Sequence, residues 1–148
     1  MEKLLAEPYD RPIRFDTKVA VLLGEDLAGW QRLNVTGFLI SGITASFPQL
    51  IGEPYQDADG VGYLAMLGQP VLVFEGSAQL IKQAHERALR RDLAMSIFTS
   101  DLFATGNDLD NRAAVAKIST GDLDLVGIAV HGPRNAVDRV VKGARMHP

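Results

Sequence analysis

Four short apolar runs recur along this chain: 18–24 (KVAVLLG), 71–76 (VLVFEG), 93–99 (LAMSIFT) and 123–132 (LDLVGIAVHG). Unbroken runs of Val, Ile, Leu and Ala of this length are what a strand buried on both faces requires. Between them the apolar spacing changes to a helical one. From about Gln31 to Ser46, Leu33, Gly37, Ile40 and Thr44 share one stripe, and Val35, Leu39 and Gly42 share another. Apolar or small groups all round predict a buried helix. Gly37 and Gly42 each cost about 1 kcal/mol against Ala in a helix, a cost often recovered by close backbone packing.

A second helix is expected over about 78–91. Ser77 can cap it, and Leu80, Ile81, Ala84 and Ala88 make its buried stripe. A third is expected over about 133–146, with Pro133 at its first position and a stripe of Ala136, Val137, Val140, Val141 and Ala144. Residues 111–118 read as a short helix capped by Asp110 or as a short strand, the helix being favoured. The Pro- and Gly-rich segment 47–70 carries a turn at Asp59-Gly60 and a short edge strand or hairpin arm in VGYLAML. Strands alternating with helices predict an α/β three-layer sandwich: a central mixed sheet of about four main strands with helices on both faces. The 148 residues suit one domain, 1–148, with an N-terminal extension over 1–16 and a core over 17–146.

Charge and composition narrow the function. The net charge is -3, without the basic surplus usual in a protein that grips phosphates, which counts against tRNA as a partner. No apolar run reaches the ~20 residues that span a bilayer, so no membrane role is expected. The N-terminus lacks the pattern of a secretion signal and the chain has no cysteine, so a cytoplasmic protein without disulfides is expected. His85, His131 and His147 have no metal-ligand spacing, so neither metal nor cofactor is expected.

In open α/β sheets, function collects outside the carboxyl ends of the strands. Two loops qualify: 25–36, after the first run, and 100–112, after the third. The second is crowded with short polar side chains, Asp101, Thr105, Asn107, Asp108, Asp110 and Arg112. Each also has a structural reading. Asp101 could cap a turn, Thr105 to Asp108 could be a turn, and Arg112 could pair with Asp101 or Asp108. In the first loop, Arg32 could face solvent or a pocket. Trp30 could wall a pocket or plug the helix start. Asn34 could face the pocket or bond a neighbouring loop.

Three stretches carry a family resemblance. KVAVLLGEDLAGWQRLNVTGFLISG, GQPVLVFEGSAQLIKQAHERALRRDLAMSIFTSD and DLVGIAVHGPRNAVDRVVKGARM resemble the strands and helices of type 2 (archaeal and eukaryotic type) peptidyl-tRNA hydrolases. LNVTGFL, ATGND and NRAAV are similar to a bacterial family on that fold, number 2000 among domains of unknown function. The resemblance implies a hydrolase-like fold over 17–146. It also implies a site holding Asp101 and Thr105, which match the hydrolases' Asp and Thr. The hydrolases' Lys and Gln at the first helix are here Arg32 and Thr36. Arginine stays charged and offers a planar fork, so it suits an anion or an oxyanion and does not suit taking a proton.

Three functional readings follow. The first is a site for a small anionic molecule between the two loops, which could also hydrolyse an ester or amide. Asp101 would activate water, Thr105 would orient it and Arg32 would stabilise charge. Thr36, Asn34, Trp30, Asn107, Asp108 and Arg112 would line it. The second is a non-catalytic binding or regulatory module using the same residues. The third is peptidyl-tRNA hydrolysis. A homodimer is compatible with the apolar content and with the pairing common in related folds.

Overall fold

The computed structural model describes residues 13–147, so the expected N-terminal extension lies mostly outside the described residues. The first apolar run forms strand β1 (Thr17–Gly24), followed by helix α1 (Gly29–Ser46). A small hairpin, β2 (Tyr55–Gln56) and β3 (Gly62–Tyr63), leads into β4 (Val71–Gly76), helix α2 (Ala78–Arg90) and β5 (Ala94–Thr99). A 3-10 turn over Ser100–Ala104 precedes α3 (Asp108–Ala116). The chain closes with β6 (Leu125–Pro133), α4 (Arg134–Val140) and β7 (Arg145–Met146).

Five of these strands form one mixed sheet in the order β5-β6-β1-β4-β7. β1 runs parallel to β4 and antiparallel to β6, β6 is antiparallel to β5, and β7 is antiparallel to β4. The carboxyl ends of β1, β4 and β5 therefore lie at one edge. Alternation along β1 divides the core. Val19, Val21 and Leu23 meet Val35, Leu39 and Ile43 of α1 on one face. Ala20 and Leu22 meet Ile81, Ala84 and Ala88 of α2 and Val137 and Val140 of α4 on the other. Burial on both faces is why the run shows no polar alternation.

The helix starts follow the sequence closely. Ser77 Oγ accepts from Leu80 N–H at 3.1 Å, closing the first turn of α2. Ser77→Ala is expected to cost about 1 kcal/mol, read as a shift of the urea midpoint at constant slope. In α1, Gln31 reaches back to accept from Ala28 N–H at 2.9 Å, so the helix begins two residues before its expected start. α3 is a helix, but its cap is Asn107, whose side chain accepts from Asp110 N–H at 2.8 Å. Asp110 lies inside the helix.

Two expectations change. The last helix stops at Val140 because Gly143 turns the chain at φ +96°, a conformation costly for any residue with a Cβ. Arg145 and Met146 then pair with Glu75 and Phe74, adding a fifth strand at the sheet edge. The second concerns α1, expected to be buried all round. Only Val35, Leu39 and Ile43 are buried, and Trp30, Leu33 and Phe38 are more than half exposed, the two rings each keeping an edge contact with Phe103 and Phe98. A Cβ on Gly42 would lie 3.3 Å from Ser96 Cβ, so this glycine does serve close packing. One on Gly37 would meet nothing within 4 Å.

Candidate functional site

α1 packs over β1, β6 and β5, which leaves the same face of β4 only partly covered. The inward residues of β4 on that face are Val71, Val73 and Glu75, in register with Val19, Val21 and Leu23. The result is a cleft of about 500 Å³ between α1 and β4. Leu23, Leu33, Val73 and Phe74 line most of it, and Arg32, Thr36, Glu75 and His147 supply its polar groups.

Glu75 is the organising group. It is only 5% exposed, at a position where the strand pattern calls for an apolar side chain. Arg32 donates to its Oε2 at 2.5 Å. Arg145, brought in by β7, donates to its Oε1 at 3.0 Å and also pairs with Glu25 at 3.0 Å. Burial alone pushes the Glu75 carboxyl up, but the hydrogen bonds and charges of the two arginines outweigh it and hold the group below its ordinary 4.5.

Arg32 is held on every nitrogen. Besides Glu75, it donates from Nε to the carbonyl of Leu27 at 3.1 Å and from its second terminal nitrogen to the carbonyl of Glu25 at 2.7 Å. Three of the guanidinium's five N–H groups are thereby used by these acceptors, leaving one on each terminal nitrogen. Thr36, one turn on, donates its hydroxyl to the carbonyl of Arg32 at 2.7 Å.

The remaining expected site residues lie elsewhere. Arg32 sits against β4, whereas Asp101 follows β5, with β1 and β6 between them. At about 4.8 Å per strand those two parent strands are about 14 Å apart. Asp101 is exposed in the 3-10 turn and is not among the lining residues of the cleft. Thr105 donates its hydroxyl to the carbonyl of Leu102 at 3.1 Å and contacts Asn111 Oδ1. Asn107 is the α3 cap. Asp108 and Arg112 form an exposed ion pair one turn apart, at 2.8 Å. That pair borders a separate groove with Phe38, Phe98 and Leu102 on the other side of α1.

The two loops do touch, through apolar groups. The Trp30 ring meets Phe103 edge-on at 5.9 Å between centroids, and Leu27, Leu102 and Phe103 pack against one core cluster. Trp30 is thus the partial plug of the helix start. Asn34 faces outward on α1, in a shallow depression with Leu33, Gly37 and Ser41.

Sequence reasoning missed Glu75, Glu25 and Arg145. Glu75 had a signal, a lone acid at an inward position of VLVFEG. Arg145 had none, because its role depends on the turn at Gly143. Among the described residues no group of three or more His, Asp or Glu side chains is placed to hold a metal ion, and no helix is long and apolar enough to cross a membrane.

Residues 17–148 match the profile of a family described as protein of unknown function (DUF2000). The chain belongs to the DUF2000 family. A solved structure of a protein of unknown function from Agrobacterium tumefaciens strain C58 is similar to this DUF2000 chain, with 42% sequence identity and a TM-score of 0.89. The match covers 91% of this chain and 100% of that one. Comparison with curated proteins returned no match.

Proposed function

We propose that this DUF2000 chain is a small-molecule binding protein without hydrolytic chemistry, and that its ligand occupies the cleft between α1 and β4. The reading rests on Arg32. Its guanidinium is fixed by three protein acceptors and still presents an N–H on each terminal nitrogen beside an apolar wall. A rigid donor in a mostly apolar cleft suits a ligand with an apolar body and one oxygen acceptor, a carboxylate or a carbonyl. Arg32 and Arg145 are balanced by Glu75 and Glu25, so the site does not depend on a full negative charge.

Catalysis is left out because Arg32 cannot act as a base and Asp101 follows a different strand. The likeness of Asp101 and Thr105 to the peptidyl-tRNA hydrolase pair is an argument from sequence alone. The Thr105 hydroxyl bonds within its own loop, Asp101 stands exposed, and the net charge of -3 counts against a tRNA substrate.

Two fluorescent probes test the reading: anionic 1-anilinonaphthalene-8-sulfonate and uncharged N-phenyl-1-naphthylamine. Thr36→Trp places a large ring in the cleft from the helix side and should weaken cleft binding at least about tenfold, or about 1.4 kcal/mol. Asp101→Asn should leave it unchanged. If only the sulfonate binds, the acceptor is an anion; if both bind, a neutral oxygen or an apolar body suffices. Binding that survives Thr36→Trp in a folded protein would reject the cleft as the site.

A further inference from the structure

No Asp, Glu, Lys, Arg or His occurs from Leu33 through Gly52. A helix with one face on the core normally shows charged groups on the other. The outer face of α1 instead carries Trp30, Leu33 and Phe38, which are 64%, 78% and 54% exposed. Asn34, Gly37, Ser41 and Ala45 complete the same face, all exposed. An apolar, uncharged surface of this kind marks a contact with another macromolecule.

We propose that this face is the contact between two copies of the chain, related by a two-fold axis that crosses α1 between Gly37 and Phe38. Two features select a second copy. The first is charge. In a two-fold contact a surface meets itself, so any uniform charge would repel its own image. The chain is acidic overall, yet this face is neutral along its length.

The second is the order of large and small side chains. In an antiparallel helix pair about this axis, opposed residues have numbers with a constant sum. Trp30 then opposes the partner's Ala45, Asn34 opposes the partner's Ser41, and Gly37 opposes the partner's Phe38. Trp30 and Phe38 each meet a small group, and the two hydrogen-bonding polar groups meet each other. The hole is already formed. A depression of about 350 Å³ lies beside Phe38, lined by Leu33, Asn34, Gly37, Phe38 and Ser41. The missing side chain of Gly37 leaves it open, since a Cβ there would meet nothing within 4 Å. Knob and hole are neighbours on one helix, as a self-complementary contact requires. The glycine weakens α1 as an isolated helix, and the contact gives that weakness a use.

The test needs no ligand and so stands apart from the binding reading. Sedimentation of the full chain should give twice its 16.0 kDa mass. Gly37→Lys and Phe38→Asp each alter an exposed position, so both variants should keep the native circular dichroism spectrum and sediment as monomers. An equimolar mixture should recover the dimer. One contact would set the introduced lysine against the introduced aspartate, and the other would keep Gly37 against Phe38. Should either variant fail to fold, Leu33→Lys on the same face replaces it as the monomer test. A wild type that stays monomeric from micromolar to near-millimolar concentration would overturn the proposal. So would variants that remain dimeric, or a mixture of folded variants that remains monomeric.

Discussion

Gly127→Ala destabilises the protein by about 1–3 kcal/mol, the usual cost of forcing extra volume into a filled core. Gly127 lies in β6 under α1. A Cβ there would stand 2.8 Å from Val35 Cγ1 and 3.3 Å from both Leu23 Cδ2 and Leu39 Cδ1. None of these neighbours can yield cheaply. Val35 is fully buried and β-branched, with a stiff side chain, and Leu39 and Leu23 are 1% and 3% exposed in the same cluster. Relief would require α1 to lift from the sheet, which would also open the cleft that α1 walls. Gly106→Ala is the control, because a Cβ at Gly106 meets nothing within 4 Å. Urea unfolding should move the midpoint for Gly127→Ala and leave Gly106→Ala close to wild type. Equal midpoints for all three proteins would show that α1 is not seated on β6 as described.

Glu75→Gln is expected to produce the largest electrostatic loss. The substitution keeps the shape of the side chain and removes the charge that Arg32 and Arg145 share. Removing one partner from a buried ionic cluster leaves the others uncompensated. The sign with pH follows from the lowered Glu75 value. A carboxylate whose folded pKa lies below its unfolded one stabilises the fold at any pH above the unfolded value. That contribution is lost as pH falls through the folded value. Wild type should therefore melt several degrees above Glu75→Gln at pH 7, and the gap should close below about pH 4.5. His85 and His131, whose values burial pushes down, also weaken the fold on acidification. Both proteins carry the same histidines, so the difference between the two melting curves isolates Glu75. A gap that persists unchanged to pH 3 would assign the loss to packing.

The architecture was legible because its signals are local. β1 and β6 are apolar runs buried on both faces, with β4 and β5 as half-buried apolar runs beside them, and such burial writes itself into consecutive residues. The α2 cap was equally plain, since Ser77 needs only the N–H three residues ahead. The α3 cap fell to Asn107 instead of Asp110 because both are capping types within four positions, and the backbone conformation at Asn107 decided between them.

The polar site was less legible, and the reason is distance along the chain. Arg32 stood out as a charged residue beside a strand-end loop, a local signal that is silent about its partners. Those partners are Glu75, 43 residues on, and through it Arg145, a further 70. The Asp101 loop attracted attention because short polar residues cluster there, yet its hydrogen bonds run mostly within the loop, as turn and cap residues do.

The sequence by itself therefore determined the alternation of strands and helices and the two-sided core. Both are patterns over neighbouring positions, set by water leaving apolar surface. Only the tertiary structure decided that α1 only partly covers β4, that Gly143 folds Arg145 back onto the sheet edge, and that the two arginines converge on one buried carboxylate. Those outcomes depend on which strands become neighbours, and strand order is a long-range choice that no local pattern contains.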